Sequence, residues 1–195
     1  GGSLSSPARP IARTHVLAAV RDAARAAHAL HEAGLAHGDI KPGNIMLSGD
    51  GGRLSDLGLA RFLAPGNTVT GMATPTSIEY IDPDVLRGGR PSRSSEVWAL
   101  GATLHRALTG RGLFGELDAA DPLLALRRMM TSTPTVDPAL RPEEKAVVDR
   151  CLAPVPDRWP TAGAVAERLD GLLATHAPAS GSTPGRAGPN PGQWS

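Results

Sequence analysis

The chain has 195 residues, of which 41% are hydrophobic and 20% charged, a balance that favours one soluble globular domain with a large core. Its formal net charge is +1, from 20 basic and 19 acidic residues, and this balance favours neither nucleic acid nor an anionic membrane as a partner. The single cysteine, Cys151, excludes an internal disulfide and is expected to lie buried in a protein of a reducing compartment.

The start of the chain predicts a loop followed by a helix. Residues 1–13 are rich in Gly, Ser and Pro and are expected to form a loop. Thr14 is expected to cap the helix that follows, and Gly34 is expected to end it in a left-handed conformation. The helix itself is indicated by apolar residues at helical spacing, which are Val16, Leu17, Val20, Ala24, Ala27 and Leu30.

The next segment predicts a polar loop and a β-hairpin. The Pro-Gly pair that begins at Pro42 excludes a helix within the stretch 37–44. Two short apolar runs, 45–47 and 54–55, flank an Asp-Gly turn signal at Asp50. Asp-Gly between short apolar runs is typical of an antiparallel hairpin, so we expect the two runs to pair as strands.

The remainder of the chain predicts helices. A polar, Thr-rich segment precedes the run 97–108, which is apolar almost all round and is typical of a buried helix. Amphipathic patterns predict further helices at 122–130, 142–152 and 162–173. Residues 177–195, rich in Pro, Gly and Ser, are expected to form a disordered tail. No apolar run reaches the length of a membrane span and no signal-peptide pattern occurs, so the expected location is the cytoplasm.

The predicted hairpin gathers four side chains that suit phosphoryl transfer. Asn44 enters its first strand and Asp56 leaves its second, so pairing the strands brings an amide and a carboxylate together at one end. Such hard oxygen ligands suit Mg²⁺, which takes its remaining ligands from water and phosphates. Asp39 and Lys41 lie just upstream, and their spacing of two places both side chains on one face of an extended stretch. The carboxylate can accept a hydroxyl proton, and the ammonium can neutralise a phosphate oxygen.

Two motifs carry a resemblance to a known family. Residues 37–44, which read His-Gly-Asp-Ile-Lys-Pro-Gly-Asn, resemble the catalytic loop of protein kinases, and Asp-Leu-Gly at 56–58 resembles their Asp-Phe-Gly motif. The segment 80–84 is similar to the Ala-Pro-Glu end of an activation segment, and 96–101 resembles the start of the central buried helix. The chain therefore resembles the C-terminal lobe of a bacterial-type (Hanks-type) serine/threonine protein kinase domain.

The resemblance implies a role for each candidate site residue. Asp39 would orient and deprotonate the substrate hydroxyl, and Lys41 would contact the transferred phosphate, as is typical of serine/threonine rather than tyrosine kinases. Asn44 and Asp56 would hold Mg²⁺, and Met46 would form the floor under the adenine ring of ATP. The implied cofactors are ATP and Mg²⁺, and the implied substrate is a protein with a Ser or Thr hydroxyl.

The resemblance also implies a fold and its divisions. The expected fold is mainly α, a kinase C-lobe in which a small β-hairpin carries the catalytic and metal-binding loops. The divisions are a post-hinge loop remnant at 1–13, a C-lobe at 14–176 with its catalytic loop at 37–44 and activation segment at 56–84, and the tail at 177–195. Arg158 is expected to pair with Asp84. No Gly-rich loop, strand Lys or helix Glu of an N-terminal lobe precedes the catalytic loop, so we expect that lobe upstream or in trans and expect this chain alone to be inactive.

Two other readings remain open. One is a small-molecule phosphotransferase of the aminoglycoside or choline kinase type, which His-Gly-Asp at 37–39 fits well and Lys41 does not. The other is a pseudokinase or truncated lobe that binds partners without catalysis, against which the retention of Asp39 and Asp56 argues. Gly38 stands where most protein kinases have Arg, so the cation that reads a phosphorylated activation segment is missing there.

Overall fold

The structure is a computed structural model that describes residues 1–57, 61–62, 75–117 and 121–176, with only the backbone described at 61–62 and 75–77. Most of the predicted activation segment and the predicted disordered tail at 177–195 lie outside these residues. The α-helices are α1 (Arg13–Glu32), α2 (Pro83–Leu86), α3 (Arg93–Thr109), α4 (Pro122–Thr131), α5 (Pro142–Leu152) and α6 (Ala162–His176). The strands are β1 (Gly2–Ser3), β2 (Ser6–Pro7), β3 (Leu35–Ala36), β4 (Ile45–Ser48), β5 (Gly51–Leu54) and β6 (Arg61–Phe62).

The main core forms where α1, α3, α5 and α6 pack together. Fully buried aliphatic side chains from each helix meet there, among them Leu17, Leu100, Val147 and Leu169. Helix α3 runs through the centre, and its residues 96–105 are all buried. A second apolar cluster lies on the other side of α3, where α4 covers it. The prediction of a mainly helical fold with a buried central helix is therefore confirmed.

Two short antiparallel sheets accompany the helices. In one, the strand order is β2-β1-β4-β5; in the other, β3 pairs with β6. The predicted hairpin is confirmed as β4 and β5, with Ile45 opposite Leu54. Its turn falls at Gly49 and Asp50, one residue earlier than the Asp-Gly signal suggested, since Gly49 adopts a φ of 57° that a tight hairpin turn requires.

The prediction of a loop over 1–13 is wrong in part, because Gly2–Ser3 forms β1 and Ser6–Pro7 forms β2. The backbone N–H of Leu4 donates to the carbonyl oxygen of Ile45 at 2.9 Å, and the Leu4 side chain is buried. Gly2 allows the tight return, because its φ is 104° and a Cβ there would lie 2.6 Å from the Ser6 carbonyl oxygen. Tertiary pairing with β4 thus overrides a composition that is typical of loops.

The helix boundaries in the structure agree in part with those predicted from the sequence. Thr14 does not cap α1, because the N-cap position is Ala12 and no side chain supplies a capping hydrogen bond. Gly34 follows the helix at a φ of 77°, as predicted. The helix predicted at 142–152 has those bounds in the structure, and Gly110 caps α3 at a φ of 72°.

The hairpin that carries the candidate site residues is docked directly on α1. A Cβ at Gly52 would lie 2.9 Å from the Ala19 Cβ, so the strand and the helix approach as closely as glycine allows. The Gly52 backbone N–H donates to Oδ2 of Asp22 at 3.1 Å. His15 Nε2 lies 3.2 Å from the Gly51 carbonyl oxygen. These contacts fix the position of the hairpin relative to the helical core. They therefore also fix its open end, where β4 begins and β5 ends.

Candidate active site

The catalytic-loop candidate, residues 37–44, is held from both sides by buried side chains. His37 is fully buried, and its Nε2 lies 3.0 Å from the Ser55 carbonyl oxygen at the end of β5. Its burial fits a packing role for His37. Gly38 adopts a φ of 84°, and its backbone N–H donates to Oε1 of Glu96 in α3 at 2.6 Å. The loop is therefore tied both to the hairpin and to the central helix.

Asp39 and Lys41 lie on one face of the loop, as their spacing predicted. Lys41 Nζ is 2.7 Å from Asp39 Oδ2, and the side chains are 19% and 12% exposed. Lys41 adopts an extended backbone conformation before the 3₁₀ turn at Pro42–Asn44. A partly buried carboxylate thus stands in contact with an ammonium at the rim of the site.

Asn44 orients the Asp39 carboxylate and is itself mostly buried. Its Nδ2 donates to the Asp39 backbone carbonyl oxygen at 2.8 Å and to Asp39 Oδ2 at 2.9 Å. Because the amide nitrogen takes both of these bonds, the amide oxygen is directed away from Asp39. The Asn44 carbonyl oxygen accepts from the Ser55 backbone N–H at 2.8 Å. This last bond places Asn44 beside Ser55, which follows β5 and directly precedes Asp56.

Asp56 stands at the exit of β5 in an uncommon backbone conformation. Its φ of 65° makes it the one non-glycine residue with a positive φ within the described parts of the chain. Left-handed backbone is unfavourable for residues with a Cβ, and Asp and Asn tolerate it better than most. Strained residues of this kind cluster at functional sites, so the conformation of Asp56 marks it as a candidate.

The donor set of this corner fits Mg²⁺ better than a transition metal. The described residues contain no group of three or more His, Cys, Asp or Glu side chains that could hold a metal ion. What they offer is one carboxylate, Asp56, and one amide oxygen, Asn44. Mg²⁺ is held in phosphate-transfer sites by one or two such oxygens together with waters and substrate phosphates. The residues present are therefore consistent with Mg²⁺ delivered with a nucleotide.

Met46 and Leu57, which each follow a candidate metal ligand closely in the chain, are exposed apolar side chains. Met46 is 41% exposed and Leu57 is 56% exposed, whereas Ile45, on the other side of β4, is fully buried. Met46 lies opposite Ser3 in the β1–β4 register. An apolar side chain beside the candidate metal corner is compatible with the predicted adenine floor.

The prediction that Arg158 pairs with Asp84 is wrong, because its partner is Asp82. Arg158 Nη1 lies 2.5 Å from Asp82 Oδ2 and 2.9 Å from the Ser94 carbonyl oxygen. Asp82 also caps α2 by accepting the Asp84 backbone N–H at 3.0 Å. Its side chain is therefore directed toward the protein interior. Asp84 instead lies on the exposed side of α2, where it pairs with Arg87.

Sequence reasoning missed His31 of α1, which shares Glu96 as a partner with Gly38 of the catalytic-loop candidate. It is fully buried, and its Nε2 is 2.7 Å from Glu96 Oε2. A signal was present in the sequence, because His31 continues the apolar stripe of α1 through Ala24 and Ala27. A polar residue on a buried helix face requires a hydrogen-bonding partner, which in this structure is Glu96.

Comparison with known proteins identifies the family. A sequence model described as "Protein kinase domain" matches residues 3–168, and the chain belongs to that family. It is 38% identical over 151 residues to serine/threonine-protein kinase PknK of Mycobacterium tuberculosis, covering 75% of this chain and 13% of PknK. It is 35% identical to PknB of Mycolicibacterium smegmatis, covering 86% of this chain and 27% of PknB. It is 32% identical to PknA of Mycobacterium tuberculosis, covering 90% of this chain and 41% of PknA.

The chain thus spans less than half the length of each of these curated relatives. Helices with a small antiparallel sheet are compatible with a protein-kinase-like fold. In the parts of the chain that the structure describes, no helix combines the length and the apolar character needed to cross a membrane.

Proposed function

We propose that this chain is the C-terminal lobe of a serine/threonine protein kinase, which transfers the γ-phosphate of ATP to a Ser or Thr hydroxyl of a protein. The observation that carries the proposal is the contact of Asp39 with both Lys41 and Asn44, at 2.7 and 2.9 Å, beside the hairpin exit where Asp56 stands. Membership of the protein kinase domain family and the likeness to PknK, PknB and PknA support it.

Each side chain of the site has a role that its contacts suit. The Asp39 carboxylate, fixed through Oδ2, orients the substrate hydroxyl and accepts its proton. Lys41 contacts the transferred phosphate and balances its charge. Asn44 and Asp56 would hold Mg²⁺, which when bound neutralises charge on the phosphate oxygens. Met46 would lie under the adenine ring, on the face of β4 turned away from the core.

The proposal includes a second lobe that completes the nucleotide site, supplied upstream or in trans. Two observations support it: the exposure of the apolar side chains Met46 and Leu57, and the small share of each relative that the chain matches. Phosphoryl transfer depends on positioning of the triphosphate, and contacts from the second lobe would contribute to that positioning. The chain alone is therefore expected to bind Mg-ATP no tighter than about 1 mM, roughly −4 kcal/mol, and to show no measurable transfer.

A phosphorylation assay tests the proposal. The chain, alone and joined to a kinase N-terminal lobe, is incubated with labelled ATP, Mg²⁺ and, in separate reactions, a generic protein substrate, an aminoglycoside and choline. We expect phosphoserine or phosphothreonine in the two-lobed form, with kcat lowered by about 10²–10⁴ in Asp39→Asn and little change in the KM for ATP. Label on the aminoglycoside or choline alone, or undiminished turnover in Asp39→Asn, would contradict the proposal.

A further inference from the structure

One peptide unit of β5 is held by two side chains of α1. The carbonyl oxygen of Gly51 lies 3.2 Å from Nε2 of His15, and the N–H of Gly52 donates to Oδ2 of Asp22 at 3.1 Å. A carbonyl oxygen only accepts hydrogen bonds, so Nε2 of His15 is the donor. Because the oxygen and the N–H belong to the same peptide bond, both of its polar groups are bound to the helix.

The spacing along α1 matches this contact. His15 and Asp22 are seven residues apart, which is close to two helical turns, so both side chains lie on one face of the helix. Ala19 lies between them on the same face, and a Cβ at Gly52 would be 2.9 Å from its Cβ. A Cβ at Gly51 would overlap Oδ2 of Asp22. The glycine pair therefore lets the peptide come within hydrogen-bonding distance of the helix.

The two oxygens of Asp22 have separate partners, which fixes the direction of its side chain. Oδ2 accepts the Gly52 N–H, whereas Oδ1 accepts from Nε of Arg21 at 2.9 Å and lies 3.8 Å from Nη1 of Arg25. Hydrogen bonds to an ionised carboxylate are stronger than those between neutral groups. The carboxylate is thus held by two guanidinium groups and presents its other oxygen to the strand.

The held peptide is close in the chain to the candidate metal corner. Gly52 precedes Asp56 by four residues, and β5 lies at one end of the sheet order β2-β1-β4-β5, paired with β4 on one side. Asp56 has a φ of 65°, and such a conformation persists where the surrounding structure constrains it. The contacts with α1 supply part of that constraint, because a strand paired on one side is free to twist unless a neighbouring element holds it.

We propose that His15 and Asp22 are positioning residues, which hold the 51–52 peptide and thereby place the Asp56 carboxylate beside Asn44 for Mg²⁺ that arrives with a nucleotide. The metal part of this inference rests on the proposed function. The structural part, that the two side chains of α1 set the backbone at Asp56, can be measured without any nucleotide. The two parts can therefore fail separately.

The structural part is tested by nuclear magnetic resonance of the full chain. Asp56 is the only aspartate that follows a serine in the sequence, so labelling Ser carbonyl carbons and Asp amide nitrogens isolates its amide signal. We expect Asp22→Ala and His15→Ala each to shift or broaden this signal, although both substitutions lie in α1. Asp22→Asn keeps an oxygen for the Gly52 N–H, and His15→Gln keeps an N–H for the Gly51 oxygen. Both conservative variants should restore the wild-type signal.

The metal part uses the same variants in the two-lobed form. Titration calorimetry should show Mg-ATP affinity reduced about three- to tenfold in Asp22→Ala and in His15→Ala, with a smaller effect on ATP binding without Mg²⁺. Asp22→Asn and His15→Gln should recover most of the loss. In an Asp56→Asn background, Asp22→Ala should cost little further affinity, because its effect passes through the Asp56 carboxylate.

Asp170→Ala is the matched control. Asp170 of α6 binds the same two arginines as Asp22, with oxygens 3.4 Å from Nη1 of Arg21 and 2.6 Å from Nη2 of Arg25. Its substitution removes a carboxylate from that cluster and leaves the two contacts of the 51–52 peptide in place. We expect the Asp56 signal and the Mg-ATP affinity of this variant to match the wild type. Thermal unfolding identifies any variant that fails to fold.

Each outcome decides one part. An Asp56 signal that is unchanged in folded Asp22→Ala and His15→Ala overturns the inference, whatever the affinity. Unchanged Mg-ATP affinity in these variants, an equal loss in Asp170→Ala, or additive losses in the Asp22–Asp56 double variant would each overturn the metal part. If the Asp56 signal responds as expected but no preparation binds Mg-ATP, the proposed function fails, while the structural link from α1 to Asp56 stands.

Discussion

Arg158 and Asp82 form an ion pair in which both side chains are almost fully buried, at 2% and 4% exposure, with Nη1 and Oδ2 2.5 Å apart. The guanidinium also lies 5.5 Å from the centre of the Trp98 ring and donates from Nε to the Ala153 carbonyl oxygen at 2.9 Å. The pair joins the end of the predicted activation segment to the segment between α5 and α6. Asp84, which the family resemblance favoured as the partner of Arg158, has a side chain that is 59% exposed.

This geometry predicts different costs for two similar substitutions. Asp82→Asn keeps an oxygen that can cap α2 but leaves Arg158 buried without its counter-charge, so it should destabilise the fold by about 3 kcal/mol. Asp84→Asn removes an exposed ion pair and should change the free energy of unfolding by less than about 0.5 kcal/mol. Urea unfolding of the two variants and the wild type measures the difference. Equal costs would contradict the assignment of Asp82 as the partner.

The pairing of Arg158 with Asp82, and not with the predicted Asp84, shows where sequence reasoning reached its limit. Periodicity and turn chemistry predicted the β4–β5 hairpin and the bounds of α5 correctly, because both depend on neighbours in the chain. The spacing of Asp39 and Lys41 likewise predicted their contact, since it is local. The partner of Arg158 depends on which way the α2 cap turns a side chain, and β1 depends on an acceptor at Ile45. Neither is specified by nearby residues.

The buried side chain of His105 leads us to expect a loss of stability at mildly acidic pH. It is 1% exposed, and its Nε2 accepts the Asp137 backbone N–H at 3.0 Å. Burial lowers the pKa of His105 below its usual range, although the nearby Asp137 carboxylate opposes the change. The folded-state pKa is the lower one. The stabilisation is therefore present above the unfolded pKa of about 6.5 and is lost as the pH falls toward the folded value.

Urea unfolding at two pH values measures this effect. Between about pH 7.5 and about pH 5, the wild type should lose roughly 1 kcal/mol more stability than His105→Gln, which has no titrating ring. The glutamine can still offer an oxygen to the Asp137 N–H, so the comparison isolates the proton. Parallel pH profiles in the two proteins would mean that His105 binds a proton as readily when folded as when unfolded.

Removing the charge of Asp56 is expected to lower the affinity for Mg-ATP. Asp56→Asn keeps a residue that tolerates a φ of 65° but supplies no carboxylate to the metal. In a two-lobed preparation, titration calorimetry should show Mg-ATP affinity reduced at least about tenfold, with a smaller effect on ATP binding without Mg²⁺. Asp50→Asn, at the exposed turn of the same hairpin, is the control and should bind as the wild type does. Equal affinities in all three proteins would remove Asp56 from the metal site.

The last prediction concerns the close approach of β5 to α1, which sets the position of the hairpin. A Cβ at Gly52 would lie 2.9 Å from the Ala19 Cβ and 3.0 Å from both the Ala19 Cα and the Ile45 Cγ2. Gly52→Ala should therefore push the strand off the helix and destabilise the fold by about 1–3 kcal/mol. Because Asn44 precedes β4 and Asp56 follows β5, both at the open end of this hairpin, weaker Mg-ATP binding should accompany the loss of stability.

A double-mutant cycle separates this contact from general effects of the substitution. Ala19→Gly alone should cost about 1 kcal/mol through helix propensity, but combined with Gly52→Ala it removes the closest clash. The double variant should thus be more stable than the sum of the two single changes predicts, by about 1 kcal/mol. Gly49→Ala is the matched control: it lies in the same hairpin with a φ of 57° and open space around it, so its cost is local strain. Its effect should add to that of Ala19→Gly without coupling. Additivity in the Gly52 cycle as well would show that the strand and the helix are not in contact at Ala19, and the fixed placement of the hairpin on α1 would then be wrong.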